Sequence, residues 1–365
     1  MRLLRGPVLR QRRRHGVRRS LDRGRRLTRT AVVVVNWNRA DLTTRAARAV
    51  LEDGAADEVV VVDNGSSDDS VAVLRDALPE ATVVARATNG GFAAGANAGI
   101  AAADADVVVL LNNDAVPAPG FVAALRDHLL AAAPEVAAVT ARIVLAGRWS
   151  RLPSDRSRPD AAAGDRMLRD HDGTAWAPSD DGEVRLNSTG VQVDRDGNGA
   201  DRDWFAPDDR AAPTAVFGFS GGAAALRRAA LDDVGLFDES LFMYYEDTEL
   251  AWRLARRAWR VEYEPRAVVE HEHSASSGVR SDLFVYRNAR NRLVVAFWHA
   301  PWTTVLRALV RTTVRGVRGG VGNREARLVL AALADVLRHL PGHLARRTRE
   351  SRRASVPRRR VRTSA

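Results

Sequence analysis

The run AVVVVNWN, residues 31–38, decides the fold. Four consecutive valines do not alternate with polar residues, so they predict a strand covered on both faces, as in a parallel sheet. The pattern returns at EVVVVDNGSSDDS, residues 58–70, where the strand signal stops at Asp63-Asn64-Gly65 and a helix follows over 71–78. A helix fills 41–51 between the two runs. Beyond them the spacing predicts a strand over 81–85, a helix over 95–103 and a strand over 106–111 that closes on Asn112-Asn113-Asp114. Strands alternating with helices at this interval make an α/β sheet, in which ligands bind outside the carboxyl ends of the strands. The polar clusters fall at those ends.

Composition bounds the rest. With 365 residues and 45% apolar content the chain can bury a substantial core. The absence of cysteine excludes disulfides, a thiolate nucleophile and a Cys-ligated zinc, so a metal would need oxygen or imidazole ligands. The net charge of +11 is unevenly placed. Residues 1–30 carry twelve arginines and one acid, and residues 343–365 nine arginines and one acid. The two ends therefore hold +19, which leaves −8 on residues 31–342. Both ends read as basic disordered segments, either arms for an anionic surface, membrane phospholipid or nucleic acid, or ends without a function. No secretory signal is expected in the first thirty residues. The apolar stretch 293–310 is interrupted by His299, Pro301 and Arg307, which argues against a membrane span.

Further along, 121–133 reads as a helix and 136–144 as a strand, while 147–213 is rich in Asp, Arg, Gly and Pro and reads as a loop-rich excursion with one hairpin near Val191. The core resumes with FSGGAAALRRAALDDVGLFDESLFMYYEDTELAWRLARRAWRVEY, residues 219–263. There Glu246, Asp247 and Glu249 precede a helix with Leu250, Trp252 and Leu254 at helical spacing, and Trp252, Trp259, Leu236 and Phe237 suit a core. By themselves these acids are satisfied as helix-capping groups. Strand signals at 261–263 and 267–269 end in His271-Glu272-His273, and amphipathic helices follow over 286–297, 303–311 and 327–340. The chain thus divides into a basic arm (1–30), an α/β domain (31–282), a helical extension (283–342) and a basic tail (343–365).

Seven blocks in order, VVVVNWN, VVDNGSSDDS, NGGFAAGANAGI, LLNNDAVPAPGF, FSGGAAALRR, VGLFDESLFMYYEDTELAWRLARRAWR and VVEHEHSASSG, resemble the family 2 glycosyltransferases of GT-A fold, and within them the rhamnosyltransferase-like branch. The resemblance implies a mostly parallel central sheet flanked by helices. It also implies an inverting, metal-dependent sugar transferase that builds a cell-envelope glycan or glycolipid. The donor is a nucleoside-diphosphate sugar, dTDP-rhamnose first and UDP-sugars second; the acceptor is a glycan or a lipid-linked sugar.

Residue by residue, the resemblance makes Asp247 the general base, with Glu246 beside it. Asn36, Asp63, Asn64, Gly65, Gly91, Phe92, Asn97, Asn112 and Asn113 become donor contacts, and Ser220, Gly221 and Gly222 the acceptor floor. Asp114, in the place of the family's DXD motif, and His271 hold Mg²⁺ or Mn²⁺, with His273 an alternative to His271. Asn112 replaces the first acid of that motif, which removes one charge from the metal site. The enzyme is expected in the cytoplasm; the run 286–292 and the basic amphipathic helices after it suggest an end that rests on the inner face of the cell membrane, with packing of those helices against the catalytic domain as the alternative. An anionic membrane surface is an expected partner and nucleic acid is not. Two other readings remain open on sequence alone: a nucleotidyltransferase on a similar sheet, and a non-enzymatic binder of anionic polymers through the arginine-rich ends.

Overall fold

The computed structural model describes residues 28–152, 167–272, 281–320 and 322–363. Its first half is β1 (Thr30–Asn36), α1 (Ala40–Asp53), β2 (Glu58–Asp63), α2 (Ser70–Ala77), β3 (Thr82–Ala85), α3 (Gly91–Ala102) and β4 (Val107–Asn112). Strand β1 pairs in parallel with β2 on one side and β4 on the other, and β2 pairs with β3. The chain winds outward to β3 and then crosses back past β1, so the sheet changes direction between β1 and β4. A crevice opens at the carboxyl ends of strands where such a switch occurs. Here those ends carry Asn36 and Asn112.

The second half widens the sheet. After β5 (Ala115–Pro117) and α4 (Phe121–Ala131), β6 (Val136–Leu145) runs beside an antiparallel strand, so the central sheet is mixed on this side. Residues 147–213, expected to be loop-rich with one hairpin near Val191, contain that hairpin as β11 (Val191–Val193) and β12 (Gly199–Asp201), and before it β7 (Trp149–Arg151), β8 (Leu168–Arg169), β9 (Ala175–Pro178) and β10 (Leu186–Ser188). Their two to four residues are too short for a periodic signal. What organises them is an aromatic cluster of Trp149, Trp176, Trp204 and Phe205, with Arg185 over the Trp176 ring at 4.3 Å.

After β13 (Ala215–Val216), β14 (Ala223–Arg227) inserts antiparallel between β4 and β6. Then come α5 (Arg228–Val234), α6 (Glu246–Arg256) and β15 (Arg260–His271), a single long strand with a register shift after Glu264 where two short strands were expected. Because β14 is reversed, its beginning lies at the carboxyl ends of its neighbours, with Ala223 opposite Leu111. The end of β15 reaches the same rim, with His271 opposite Ala115 and Leu145. Valines of β1 and β2 fill both faces, one set packing with α1 and α4 and the other with α3 and α5.

Four helices close the fold: α7 (Asp282–His299), α8 (Trp302–Gly319), α9 (Arg324–Arg338) and α10 (Leu340–Arg353). The expectation of a disordered tail over 343–365 is corrected by α10 and the ordered segment after it. Arg347 donates to the carbonyls of Phe297 and Ala300 at 2.7 and 2.8 Å, and Arg358 to those of Trp298 and Arg347 at 2.9 Å each. Arginines counted as disorder are thus donors to carbonyls at the end of α7. The expected basic arm lies outside the described residues except for residues 28–30.

Glu249, on the buried side of α6, ties this helical layer to the sheet. It is fully buried, bonded to Arg253 within 3.0 Å and to His299 Nε2 at 2.9 Å. Burial alone would raise its pKa; the Arg253 charge and the His299 bond reverse this and hold it down at about 2. Its contribution to stability is therefore present above the ordinary glutamate pKa and is lost as pH falls toward 2. Glu249→Ala leaves Arg253 buried without its countercharge, and urea unfolding at pH 7 is expected to show a loss of about 3–5 kcal/mol.

Candidate active site

Asp114 and His271 meet directly. The first follows the end of β4 and the second ends β15, and His271 Nε2 lies 3.0 Å from Asp114 Oδ1. The opposite ring nitrogen, Nδ1, is 2.7 Å from Asn187 Oδ1 on β10. An acceptor there fixes the hydrogen on Nδ1, so Nε2 turns its lone pair, or an added proton, toward a carboxylate. Burial opposes that proton, but Asp114 and then Asp201 and Glu272 outweigh burial and raise the His271 pKa. A divalent cation satisfies the same electrostatic demand, and imidazole ligands to metals commonly donate their other N–H to an oxygen. Among the described residues no group of three or more His, Cys, Asp or Glu side chains could hold a metal ion. Asp114 and His271 therefore fit a site in which ligand oxygens supply the remaining coordination. His273, the alternative, lies outside the described residues.

Asp247 belongs to the same rim. Its Oδ2 accepts from the Gly221 N–H at 3.2 Å, while the Gly222 carbonyl accepts from the Asn112 N–H at 2.8 Å. Two adjacent glycines thus touch α6 on one side and β4 on the other. A Cβ on Gly222 would stand 3.2 Å from the Asn112 amide, so a side chain there would crowd the end of β4. Asn112 Nδ2 lies 3.5 Å from His271 Nε2. Asp201, at the end of β12, completes the acidic side; burial and Asp247 raise its pKa to about 6 against a Ser188 hydrogen bond and the His271 charge. Burial followed by Asp247 pushes Glu246 up to about 8, and its Oε2 has no hydrogen-bond partner among the described residues. Burial also raises Asp247, against hydrogen bonds from Gly221 and Thr248.

What aims α6 is a strained arch before it. Leu241-Phe242-Met243 forms a γ-turn, with Phe242 at φ 66° and ψ −65° and Met243 N–H bonded to the Leu241 carbonyl. Tyr244 and Tyr245 follow at φ 69° and 71°, conformations that cost side-chain-bearing residues roughly 1–3 kcal/mol each. Two contacts hold the arch. Gly91, at φ 80°, has no side chain where a Cβ would come within 2.0 Å of the Phe242 carbonyl. Asn291 on α7 places its amide nitrogen 2.9–3.0 Å from the carbonyls of Leu241, Met243 and Tyr244.

The donor residues divide. Asp63 is held by Asn36 Nδ2 at 2.8 Å and by the Ser66 hydroxyl and N–H. Asn64 donates to Asn89 and to the Gly91 carbonyl, which joins β2 to the glycine loop. Gly65 permits a close approach to Thr88, and Phe92 lies beside Gly221. Asn113 is buried next to Asp114. Two expected donor contacts are corrected. Asn36 is fully buried and both its amide atoms are engaged, the oxygen by Thr43, so it positions Asp63. Asn97 bonds in both directions with the Phe237 backbone and reaches Glu239, which ties α3 to the following loop. Ser220 anchors the turn before β14 through Thr140 and Gly222. Sequence reading missed Asn187 and Asp201, which lie in the irregular excursion and carry no motif, and it gave Asn291 no role of its own.

The family profile described as Glycosyl transferase family 2 matches residues 31–235, and one described as Glycosyl transferase family group 2 matches 198–314. The chain is 29% identical over 275 residues to an N-acetylglucosaminyl-diphospho-decaprenol L-rhamnosyltransferase of Mycobacterium tuberculosis, spanning 71% of this chain and 80% of that protein. It is 28% identical over 224 residues to a pre-mycofactocin glycosyltransferase of the same organism, spanning 59% and 37%. Among solved structures, GalNAc-T7 with UDP, GalNAc and Mn²⁺ superposes with a TM-score of 0.55 at 13% identity, over 88% of this chain and 58% of that one. That likeness shows the GT-A fold.

Two outcomes follow from the arch and its acids. A raised carboxylate pKa makes folding costlier as pH climbs from the unfolded value toward 8, so Glu246→Gln is expected to raise the melting temperature at pH 8.5 and leave it nearly unchanged at pH 4. Asn291→Ala, which leaves the arch carbonyls unclamped, is expected to cost about 1–3 kcal/mol in urea unfolding.

Proposed function

We propose, for a chain that belongs to glycosyl transferase family 2, that it moves a sugar from a nucleoside diphosphate to a hydroxyl of a lipid-linked or glycan acceptor with inversion at the anomeric carbon. The supporting observation is the continuity of one rim, in which Gly221 contacts Asp247 and Gly222 contacts Asn112, beside the Asp114–His271 pair. A transferase of this kind needs a base for the acceptor and a counter-charge for the leaving diphosphate within one cavity.

In this reading Asp63, fixed by Asn36 and Ser66, offers a carboxylate oxygen to the N–H of a pyrimidine base. Gly65 and Gly91 let backbone approach the nucleotide. Asp114 and His271 hold Mg²⁺ or Mn²⁺, with Asn187 orienting the imidazole; the bound cation supplies positive charge to the diphosphate. Ser220, Gly221 and Gly222 leave room for the acceptor below Asp247. The acceptor oxygen forms its bond to the anomeric carbon as the sugar–phosphate bond breaks, its proton passes to Asp247, and the nucleoside diphosphate leaves with the bonding pair. One displacement of this kind inverts the centre.

The rhamnosyltransferase named above makes rhamnose the first donor sugar to try and a polyprenyl-diphosphate sugar the first acceptor. In this reading the reaction runs at the cytoplasmic face of a membrane, where a water-soluble donor meets a lipid-linked acceptor. With dTDP-rhamnose, then UDP-sugars, and Mn²⁺, Asp247→Asn is expected to lower kcat by about 10³ while the donor-induced rise in melting temperature stays as in the wild type. Turnover of D247N near the wild-type rate would remove Asp247 as base. A full panel of nucleotide sugars that never shifts the melting temperature would remove the donor assignment.

A further inference from the structure

The far end of α6 presents a different chemistry. Arg256 lies nine residues beyond Asp247, about 14 Å along the helix at 1.5 Å per residue. Its side chain is 4% exposed, and Nε and Nη1 have no hydrogen-bond partner among the described residues. It lines a cavity of about 430 Å³ with Arg347, Arg358, Arg359 and Trp302, and no acid is among the lining residues. Arg256 also lines a second cavity with Asp232, Asp233 and Glu350, and Glu350 lends charge to Arg256 and Arg358, but its carboxylate accepts from Arg346 at 2.8 Å. The nearby carbonyls are taken too, that of Arg256 by the Ser355 and Val356 N–H groups and those of Phe297 and Ala300 by Arg347. Burial, then the Arg256 charge on Arg347 and the Arg347 and Arg256 charges on Arg358, pushes both down to about 10. Unpartnered buried guanidinium N–H groups facing a cavity ask for an anion with several oxygens.

The cavity mouth continues into an apolar surface. Trp302, 55% exposed, stands over the Arg347 guanidinium at 4.1 Å and begins a stripe with Leu306, Val310, Val314 and Val317 on α8. At 3.6 residues per turn these five fall within about 120° of one another, and Arg307, Arg311, Arg315 and Arg318 fill the adjacent sector. The buried face, with Val305, Ala308, Thr312 and Gly316, lies on the stripe's other side. Arg307 and Arg318 pair with no acid among the described residues. An apolar stripe bordered by arginine, with a tryptophan at its end, is the pattern of a helix that lies in a membrane interface. No single described helix is long and apolar enough to cross a membrane.

We infer that α8 docks this protein on an anionic bilayer, with the stripe among the acyl chains and a lipid phosphate in the Arg256–Arg347–Arg358 cavity. Charge decides against the other occupants. The basic arm of residues 1–30 has the same sign as the arginine row, and a second copy of this face would set arginine against arginine. The phosphodiester of a phospholipid meets both demands, offering non-bridging oxygens to the guanidinium donors and carrying the chains that cover the stripe. The inference does not depend on sugar transfer.

The test is sedimentation of the full chain with phosphatidylglycerol–phosphatidylcholine vesicles against pure phosphatidylcholine, without donor, at 0.5 M NaCl, where screening confines charge attraction to about 4 Å and suppresses the arm. Wild-type protein is expected to bind the phosphatidylglycerol vesicles. L306S/V317S, at exposed positions, is expected to lower partitioning roughly tenfold or more with an unchanged melting temperature. Arg256→Gln is expected to reduce the preference for phosphatidylglycerol several-fold; Arg359→Gln, exposed at the cavity, does the same if the buried substitution unfolds the chain. Loss of all vesicle binding at 0.5 M NaCl overturns the inference, as does binding untouched by either kind of variant. A melting temperature raised by inorganic phosphate but unmoved by vesicles also overturns it, because the cavity then takes a free anion.

Discussion

The arch from Phe242 to Tyr245 is the constraint on which the site depends. Three residues with side chains sit at positive φ within four positions, and nothing local makes that favourable. The missing side chain of Gly91 and the Asn291 amide compensate, the one by admitting the Phe242 carbonyl and the other by gathering three more. In return the arch sets where α6 begins. Glu246 and Asp247 start the helix at the rim of the sheet, beside Gly221, with no side chain there to separate them from β14 and β4.

One short motif thus does three jobs. Glu249 is saturated by Arg253 and His299 and belongs to the packing of the helical layer. Glu246 is buried, its Oε2 has no hydrogen-bond partner among the described residues, and burial followed by Asp247 pushes its pKa up to about 8. Asp247 is half-buried and bound to backbone N–H groups of Gly221 and Thr248, which steady a carboxylate without giving it a countercharge. All three acids also suit the positive end of α6. The capping reading and the catalytic reading are compatible, because the same helix terminus serves both.

The sheet was legible from its valines. Runs such as 31–35 and 58–62 are apolar on every residue, and only a strand covered on both sides requires that. The rim was legible too, since Asp63 and His271 end strands, Asp114 follows the end of one and Asp247 lies in the first turn of a helix. What stayed hidden was tertiary. Asn36 reads as a ligand contact until its amide is seen to be spent on Asp63 and Thr43, and Asn97 until both its atoms are seen on the Phe237 backbone. Asn187 and Asp201 come from an excursion ordered by aromatic contacts rather than by periodicity. The arginine-rich tail misled for a related reason: composition records charge but not the carbonyls of α7 that Arg347 and Arg358 cap.

The central claim is that Asp247 and the Asp114–His271 pair face one cavity across Gly221 and Gly222. A crystal structure with dTDP and Mn²⁺ tests it most directly. The account predicts Mn²⁺ on Asp114 and His271, with the terminal phosphate pointing into the space between that ion and the Asp247 carboxylate. A nucleotide bound elsewhere, or a terminal phosphate directed away from Asp247 with protein between them, would contradict it.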